Sequence, residues 1–219
     1  INLSIKKGNK ILIVGTSGCG KSTLFYVLMR LLYPLKGNIF IQGKNYDDLA
    51  EKSIREHFAV AFQEHHIFNL SIRDNFKMLY EDITDEEIYK SLENVYLLDF
   101  VNQVGLDYIV GNDGNKLSGG QKHRLQLAIC LAKQKDIILL DEPTAGLDIK
   151  TTNNICSQLM EKYQKQTMII TSHDISLLRF FDDIIICGEE KIIEQGNIKK
   201  LLLREDSYLN KLIRYKNFI

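Results

Sequence analysis

What this sequence lacks narrows its class first. Neither charge is in excess, since 28 Lys and Arg balance 28 Asp and Glu, and 45% of the residues are apolar. A disordered tail would show the opposite on both counts. No apolar run approaches the ~20 residues a membrane-crossing helix needs; the run 137–140, for example, closes at Asp141 and Glu142. The four cysteines, Cys19, Cys130, Cys156 and Cys187, show none of the paired spacings of a disulfide scaffold or a zinc knot, which points to a reducing compartment. Ile1 is neither an initiator methionine nor the start of a cleavable apolar leader, so a longer polypeptide with an upstream domain is expected. A folded domain fits these limits better than a membrane span.

Charge is unevenly spread. Residues 1–50 carry seven Lys or Arg against two Asp, whereas Glu81, Asp82, Asp85, Glu86 and Glu87 fall within seven positions. The basic start suits a solvated strand edge as well as a polyanion contact. Neither a sustained basic arm nor a long coiled-coil insertion is present, so no direct nucleic-acid partner is expected.

The residues 11–14 form a short β-branched run that Gly15 ends, as expected of a buried strand feeding a tight loop. Leu24, Leu28 and Leu31 then recur at helical spacing up to Pro34. A strand is expected between the glycines at 37 and 43, and another at 58–62. Between about Ser71 and Lys135 the pattern turns helical: Ile88, Leu92, Val95 and Tyr96 suggest one stripe, and Leu125, Ile129 and Ala132 another. Buried-strand character returns at 137–140 and 168–172, with Ile155, Leu159 and Tyr163 marking a helix between them. An antiparallel hairpin is expected at 184–195, turning at 188–190, followed by terminal helices.

Three motifs carry chemistry. Gly15-Thr16-Ser17-Gly18-Cys19-Gly20-Lys21-Ser22-Thr23 is a complete phosphate loop, set between the strand and helix it requires. Its glycines let backbone N–H groups turn toward phosphate, Lys21 brings mobile positive charge, and the Ser22 hydroxyl suits Mg2+. Asp141 and Glu142 close a buried strand; opposite-facing side chains would give Asp141 to Mg2+ and Glu142 to the attacking water. Leu117-Ser118-Gly119-Gly120-Gln121 places a serine cap and two glycines at a helix start, a common turn by itself but also a second anion site.

Together these residues resemble the nucleotide-binding domain of ATP-binding cassette (ABC) transporters. The resemblance runs through nearly the whole chain: the phosphate loop, Gln63, the signature at 117–121, the acidic strand 137–142, Ala145-Gly146-Leu147-Asp148 and His173. It implies an α/β phosphate-loop ATPase core with an antiparallel β subdomain at 1–70 and 136–219, and an inserted helical subdomain at 71–135. It further implies ATP and Mg2+, with Ser22, Gln63 and Asp141 at the ion, Glu142 as base, and His173 orienting the γ-phosphate. Without the family context Gln63 is an ordinary solvated amide.

In the family two such domains meet head to tail, so Ser118, Gly119, Gly120 and Gln121 would act on a partner copy's nucleotide. Asp148 would communicate across that dimer, its alternative being a turn cap. Residues 63–75 and Val110-Gly111-Asn112-Asp113-Gly114 are similar to exporter-type members. The expectation is therefore a motor at the cytoplasmic face of a membrane, with transmembrane domains fused upstream of Ile1. An importer ATPase, or a soluble member acting on nucleic acid or ribosomes, is the alternative.

Two departures stand out: Asn112 where exporters commonly carry Glu, and Ile129 where Arg is usual. Residues 1–10 hold no aromatic to stack on adenine. His57, His65, His66 and His123 read as surface or inter-lobe residues, and no metal cluster is implied.

Overall fold

In the computed structural model residues 1–63, 66–188 and 191–216 are described. The order is β1 (Lys10–Gly15), α1 (Lys21–Leu28), β2 (Phe40–Ile41), β3 (Lys44–Asn45), α2 (Glu51–Arg55), β4 (Phe58–Ala61), α3 (Ile72–Lys77), α4 (Asp85–Glu93), α5 (Leu98–Val104) and α6 (Gly119–Leu131). Then follow β5 (Ile137–Asp141), α7 (Ile149–Lys162), β6 (Thr167–Ser172), β7 (Asp183–Gly188), β8 (Lys191–Asn197), α8 (Ile198–Leu202) and α9 (Tyr208–Lys216). Two units emerge, one of residues 1–58, 135–142 and 165–219, the other of 59–134 and 143–164.

The first unit is built on strands in the order β5-β6-β1-β7-β8. β5, β6, β1 and β7 are mutually parallel, and β8 returns antiparallel to β7. The apolar runs read from the sequence are these strands, and Leu12, Ile13, Leu139, Leu140 and Ile170 are sealed in the core. Parallel strands bring their C-terminal ends to one edge, the edge at which such sheets bind ligands. Register places Gly15, Asp141 and Ser172 there. The expected hairpin is present as β7 and β8, though two of its turn residues, 189 and 190, lie outside the described residues.

Two local expectations in this unit are corrected. The strand expected between Gly37 and Gly43 forms only over Phe40–Ile41, because Gln42 (φ 51°) and Gly43 (φ 80°) turn the chain so that β2 folds back onto β3. Two consecutive positive φ angles are the geometry of a tight type I′ hairpin. The helix after the phosphate loop stops at Leu28, so Leu31 is exposed, and Phe25 rather than the leucine stripe enters the core. The carbonyls at its end are taken up by side chains: Tyr46 Oη donates to Leu28 O (3.1 Å), and Arg55 to Met29 O (3.1 Å) and Arg30 O (3.3 Å). Arg30, just past the helix, is at φ 55°.

In the second unit the expected helical stretch forms α3 to α6. The acidic run has a structural job, because Asp85, Glu86 and Glu87 are the first turn of α4, where carboxylates oppose the helix dipole. Thr84 and Glu87 close a capping box there. Ile88, Leu92 and Val95 are buried, but Tyr96, at φ 56°, leaves the helix and is 48% exposed. α6 buries residues on several faces, including Leu125, Leu127, Ala128, Cys130 and Leu131, while the expected Ile129 and Ala132 are only half-buried. His123, expected at a surface or between lobes, is 5% exposed within this helix. Its neighbours satisfy the helix end: Ser91 Oγ donates to Ala128 O (2.6 Å) and Tyr163 Oη to Leu131 O (3.2 Å). Ile155, Leu159 and Tyr163 share the buried side of α7, as the spacing predicts. Among the described residues no helix is long and apolar enough to cross a membrane.

Candidate functional site

The phosphate loop leaves β1 at Gly15 and enters α1 at Lys21. Gly18 (φ 79°) and Gly20 (φ 99°) have left-handed backbones, and side chains there would meet nothing within 4 Å. The glycines are thus needed for backbone conformation, and the space above them is open. Thr16, Ser17, Gly18 and Gly20 are exposed, whereas Cys19 turns inward. Gly20 caps α1 without any side-chain hydrogen bond, so the cap residue offers the first N–H groups of this helix no acceptor side chain. An anion is their natural partner.

Lys21 departs from the expectation of a mobile cation. It is 7% exposed, and Nζ donates to Gly15 O (2.8 Å) and Thr16 O (3.2 Å) while standing 3.5 Å from His173 Nε2. The charge is held over the loop. Ser22 is half-buried in the first turn of α1, and Thr23 is exposed beside it.

Asp141 is 3% exposed at the end of β5, and Glu142 is 8% exposed just past it. Their different directions do not come from strand alternation, as the sequence suggests. Glu142 has left the strand at φ 52°, a conformation that costs a non-glycine residue roughly 1–3 kcal/mol and is found where function needs it. Thr171, fully buried opposite Asp141 in the β5–β6 register, holds this corner. Its hydroxyl donates to Asp141 Oδ1 (2.5 Å) and accepts from the Glu142 N–H (2.9 Å), while its carbonyl also accepts from Glu142 N–H (3.2 Å).

Two residues after Thr171, His173 Nε2 lies 3.2 Å from Glu142 Oε1. The approach does not make a hydrogen bond, and Oε1 remains a buried acceptor with none. A buried acceptor without a donor is costly, so this atom fits a proton-donating ligand such as a water beside bound nucleotide. The uncapped N–H groups of α1, the open loop and this oxygen all suit a magnesium-bound triphosphate.

The remaining sequence candidates belong to the second unit. Gln63 is exposed just beyond β4. Downstream of it, Asn75 fastens the segment into α3: Oδ1 accepts from Phe68 N–H (2.9 Å), and Nδ2 donates to Phe68 O (3.1 Å) and Ser71 O (2.9 Å). Glu64 and His65 of that segment lie outside the described residues.

Ser118 caps α6 in a capping box with Gln121, accepting from Gln121 N–H (3.2 Å) as Gln121 Oε1 accepts from Ser118 N–H (2.9 Å). Gly119 has open space, and a side chain at Gly120 would stand 3.4 Å from Leu147. The signature thus abuts the loop carrying Asp148. Asp148 caps α7, accepting from Thr151 N–H (2.9 Å) and Thr151 Oγ1 (2.6 Å), and those bonds hold its carboxyl below the usual range. Beside Asn112, Asp113 pairs with Lys122 of α6 at 2.6 Å and is likewise held low.

Thr171 is the residue the sequence reading missed. A threonine closing the aliphatic run 168–170, immediately before Ser172 and His173, is the available signal. Its role depends on the register with β5, which no contiguous motif encodes.

A phosphate loop at the C-terminal edge of a parallel sheet, facing two buried acids and a histidine, defines the class of nucleoside-triphosphate hydrolases. The chain matches the family described as ABC transporter over residues 1–145 and belongs to it, as its ATP-binding and ATP-hydrolysing domain of exporter-like type. It is 35% identical over 203 residues to the beta-(1→2)glucan export ATP-binding/permease protein NdvA of Agrobacterium vitis, covering 92% of this chain and 35% of that protein. It is 35% identical over 208 residues to the glutathione/L-cysteine transport system ATP-binding/permease protein CydC of Escherichia coli K12, covering 95% and 36%. The structure of a bacterial Atm1-family ABC exporter with ATP bound superposes with a TM-score of 0.90 at 30% identity, covering 97% of this chain and 37% of that one. The chain therefore spans about a third of the length of these relatives.

Proposed function

We propose that this domain binds MgATP on its phosphate loop, pairs head to tail with a second nucleotide-binding domain, and drives export through transmembrane domains at the cytoplasmic face of a membrane. The observation that carries the catalytic part is Glu142: a buried carboxylate oxygen with no hydrogen bond, 3.2 Å from His173 Nε2. Glu142 takes the proton of the attacking water, and His173 orients the γ-phosphate. Lys21 exchanges its loop carbonyls for the terminal phosphates. Mg2+, for which Ser22 and Asp141 are the candidate holders in this unit, supplies positive charge against those phosphates.

Ser118, Gly119 and Gly120 act on the second copy's ATP. The γ-phosphate then links the α6 N-terminus of one copy to the phosphate loop of the other through charge and N–H donors. Hydrolysis removes the link, and the pair reopens. Asp148, next to the signature, relays between the two sites. The export reading is supported by the exporter-like stretches at 63–75 and 110–114 and by the names of the relatives above.

The test is Glu142→Gln, which keeps the shape and removes the base. Light scattering with ATP should show a stable dimer while phosphate release stops. Phosphate release at the parent rate would reject Glu142 as the base.

A further inference from the structure

Cys19 is the one inward-facing residue among Thr16 to Gly20 of the phosphate loop, and what it faces is a second cysteine. β1 and β7 run in parallel with Gly15 opposite Cys187. A methyl group placed on Gly15 would stand 2.6 Å from Cys19 Sγ, 3.1 Å from Cys187 Cβ and 2.5 Å from Cys187 O. The two side chains therefore share the space that Gly15 leaves empty. The pairing of β7 with β8 shifts register between Ile186 and Cys187, so Cys187 sits at an irregular point of its strand. Burial pushes the Cys187 thiol up, the Cys19 sulfur beside it adds to that, and Lys21 opposes.

We propose that Cys19 and Cys187 form a reversible disulfide under peroxide, and that this modification shuts the phosphate loop to nucleotide. The inference rests on the loop being the ATP site. Cys187, half-buried where Cys19 is buried, reacts first. Its thiolate attacks hydrogen peroxide, giving a sulfenic acid and one water once the proton is counted. The Cys19 thiol then displaces the sulfenic oxygen as a second water, leaving the S–S bond. Two thiols lose two protons and two electrons, and the peroxide accepts both.

A disulfide holds its sulfurs ~2.05 Å apart and fixes the torsion between them, so its formation draws the loop toward β7. The phosphate cradle is sensitive to such movement, since its backbone N–H groups must keep their direction to meet phosphate. Cys130 and Cys156 serve as internal controls because both are buried and lie in α6 and α7, away from the phosphate loop in the sequence.

The test treats the full chain with hydrogen peroxide, blocks residual thiols, maps peptides by mass spectrometry without reductant, and titrates ATP in parallel. A Cys19–Cys187 peptide should appear, with Cys130 and Cys156 still reduced, and ATP affinity should fall at least roughly tenfold, as for one lost hydrogen bond to a charged phosphate, and return with dithiothreitol. Cys187→Ser and Cys187→Ala should bind ATP as the untreated parent does and ignore peroxide. Absence of the linked peptide, a linked peptide with unchanged affinity, or equal peroxide sensitivity in both Cys187 variants would overturn the proposal. Failure of the untreated chain to bind ATP would instead strike the nucleotide reading, and the peptide map would still decide whether the thiols pair.

Discussion

The two units carry their functional residues in opposite conditions. In the first, Lys21, Asp141, Glu142 and Thr171 are buried and hold one another, or the loop, through hydrogen bonds, and one carboxylate oxygen is left without a donor. In the second, Ser118 and Asp148 are exposed, and each is satisfied locally as a helix cap. Buried groups are organised in advance for chemistry within one copy. Exposed caps keep a helix N-terminus formed and presented outward, which is what a surface acting on a second copy's phosphate requires.

Substitutions should sharpen this contrast, the buried cluster giving the larger effects. Lys21→Ala removes the cation held over the loop, and since a hydrogen bond to a charged group contributes about 1.5–3 kcal/mol, ATP affinity should fall roughly 10–100-fold in a nucleotide titration. Unchanged affinity would contradict the placement of the phosphates.

Thr171→Val keeps the shape of the strand but leaves Asp141 Oδ1 and one Glu142 contact without their hydroxyl. Thermal unfolding should show a loss of about 1–3 kcal/mol, with phosphate release reduced as Glu142 drifts. A variant with full stability and turnover would remove Thr171 from the account.

Ser118→Ala should cost only ~1 kcal/mol of stability, the usual value of a lost N-cap, measured by denaturant unfolding. Its effect on ATP hydrolysis should appear only where two copies meet. Smallest of all is the acid response. Glu87 is held low chiefly by Lys133, Asp113 by Lys122 and Asp148 by Thr151, so each contributes stability above the usual carboxylate range that is lost as pH falls through its lowered value. Asp113 and Asp148 are exposed, Glu87 is half-buried, and all three belong to the second unit, so amide exchange at the starts of α4 and α7 should quicken on acidification before that of β1 and β6 does. Equal responses would erase the distinction.

The motifs that could be read from the sequence are contiguous. Gly15 to Thr23 dictates its own loop because each residue serves the backbone beside it, and the same holds for Ser118 to Gln121, whose capping box closes within four residues. Strands β1, β5, β6 and β7 were legible because both faces are buried, leaving unbroken aliphatic runs. What could not be read depends on partners distant in the chain. Thr171 matters through the register that puts it opposite Asp141, and Glu142 points where a left-handed turn sends it. The helix after the phosphate loop ends where Tyr46 and Arg55 take its carbonyls, and α6 is met by α4 and by the Tyr80 and Tyr163 hydroxyls from distant parts of the chain. The pairing of Cys19 with Cys187 likewise appears only once β7 is known to lie beside β1.

The sharpest measurement mixes two inactive chains, one carrying Lys21→Ala and the other Gly120→Asp, and follows phosphate release. If each ATP lies between the glycine loop of one copy and the Ser-Gly-Gly cap of another, a mixed pair collects both lesions in one site and leaves the other whole, so the mixture should hydrolyse ATP where neither chain alone does. A mixture as silent as its components, with mixed pairs shown to form, would contradict that arrangement.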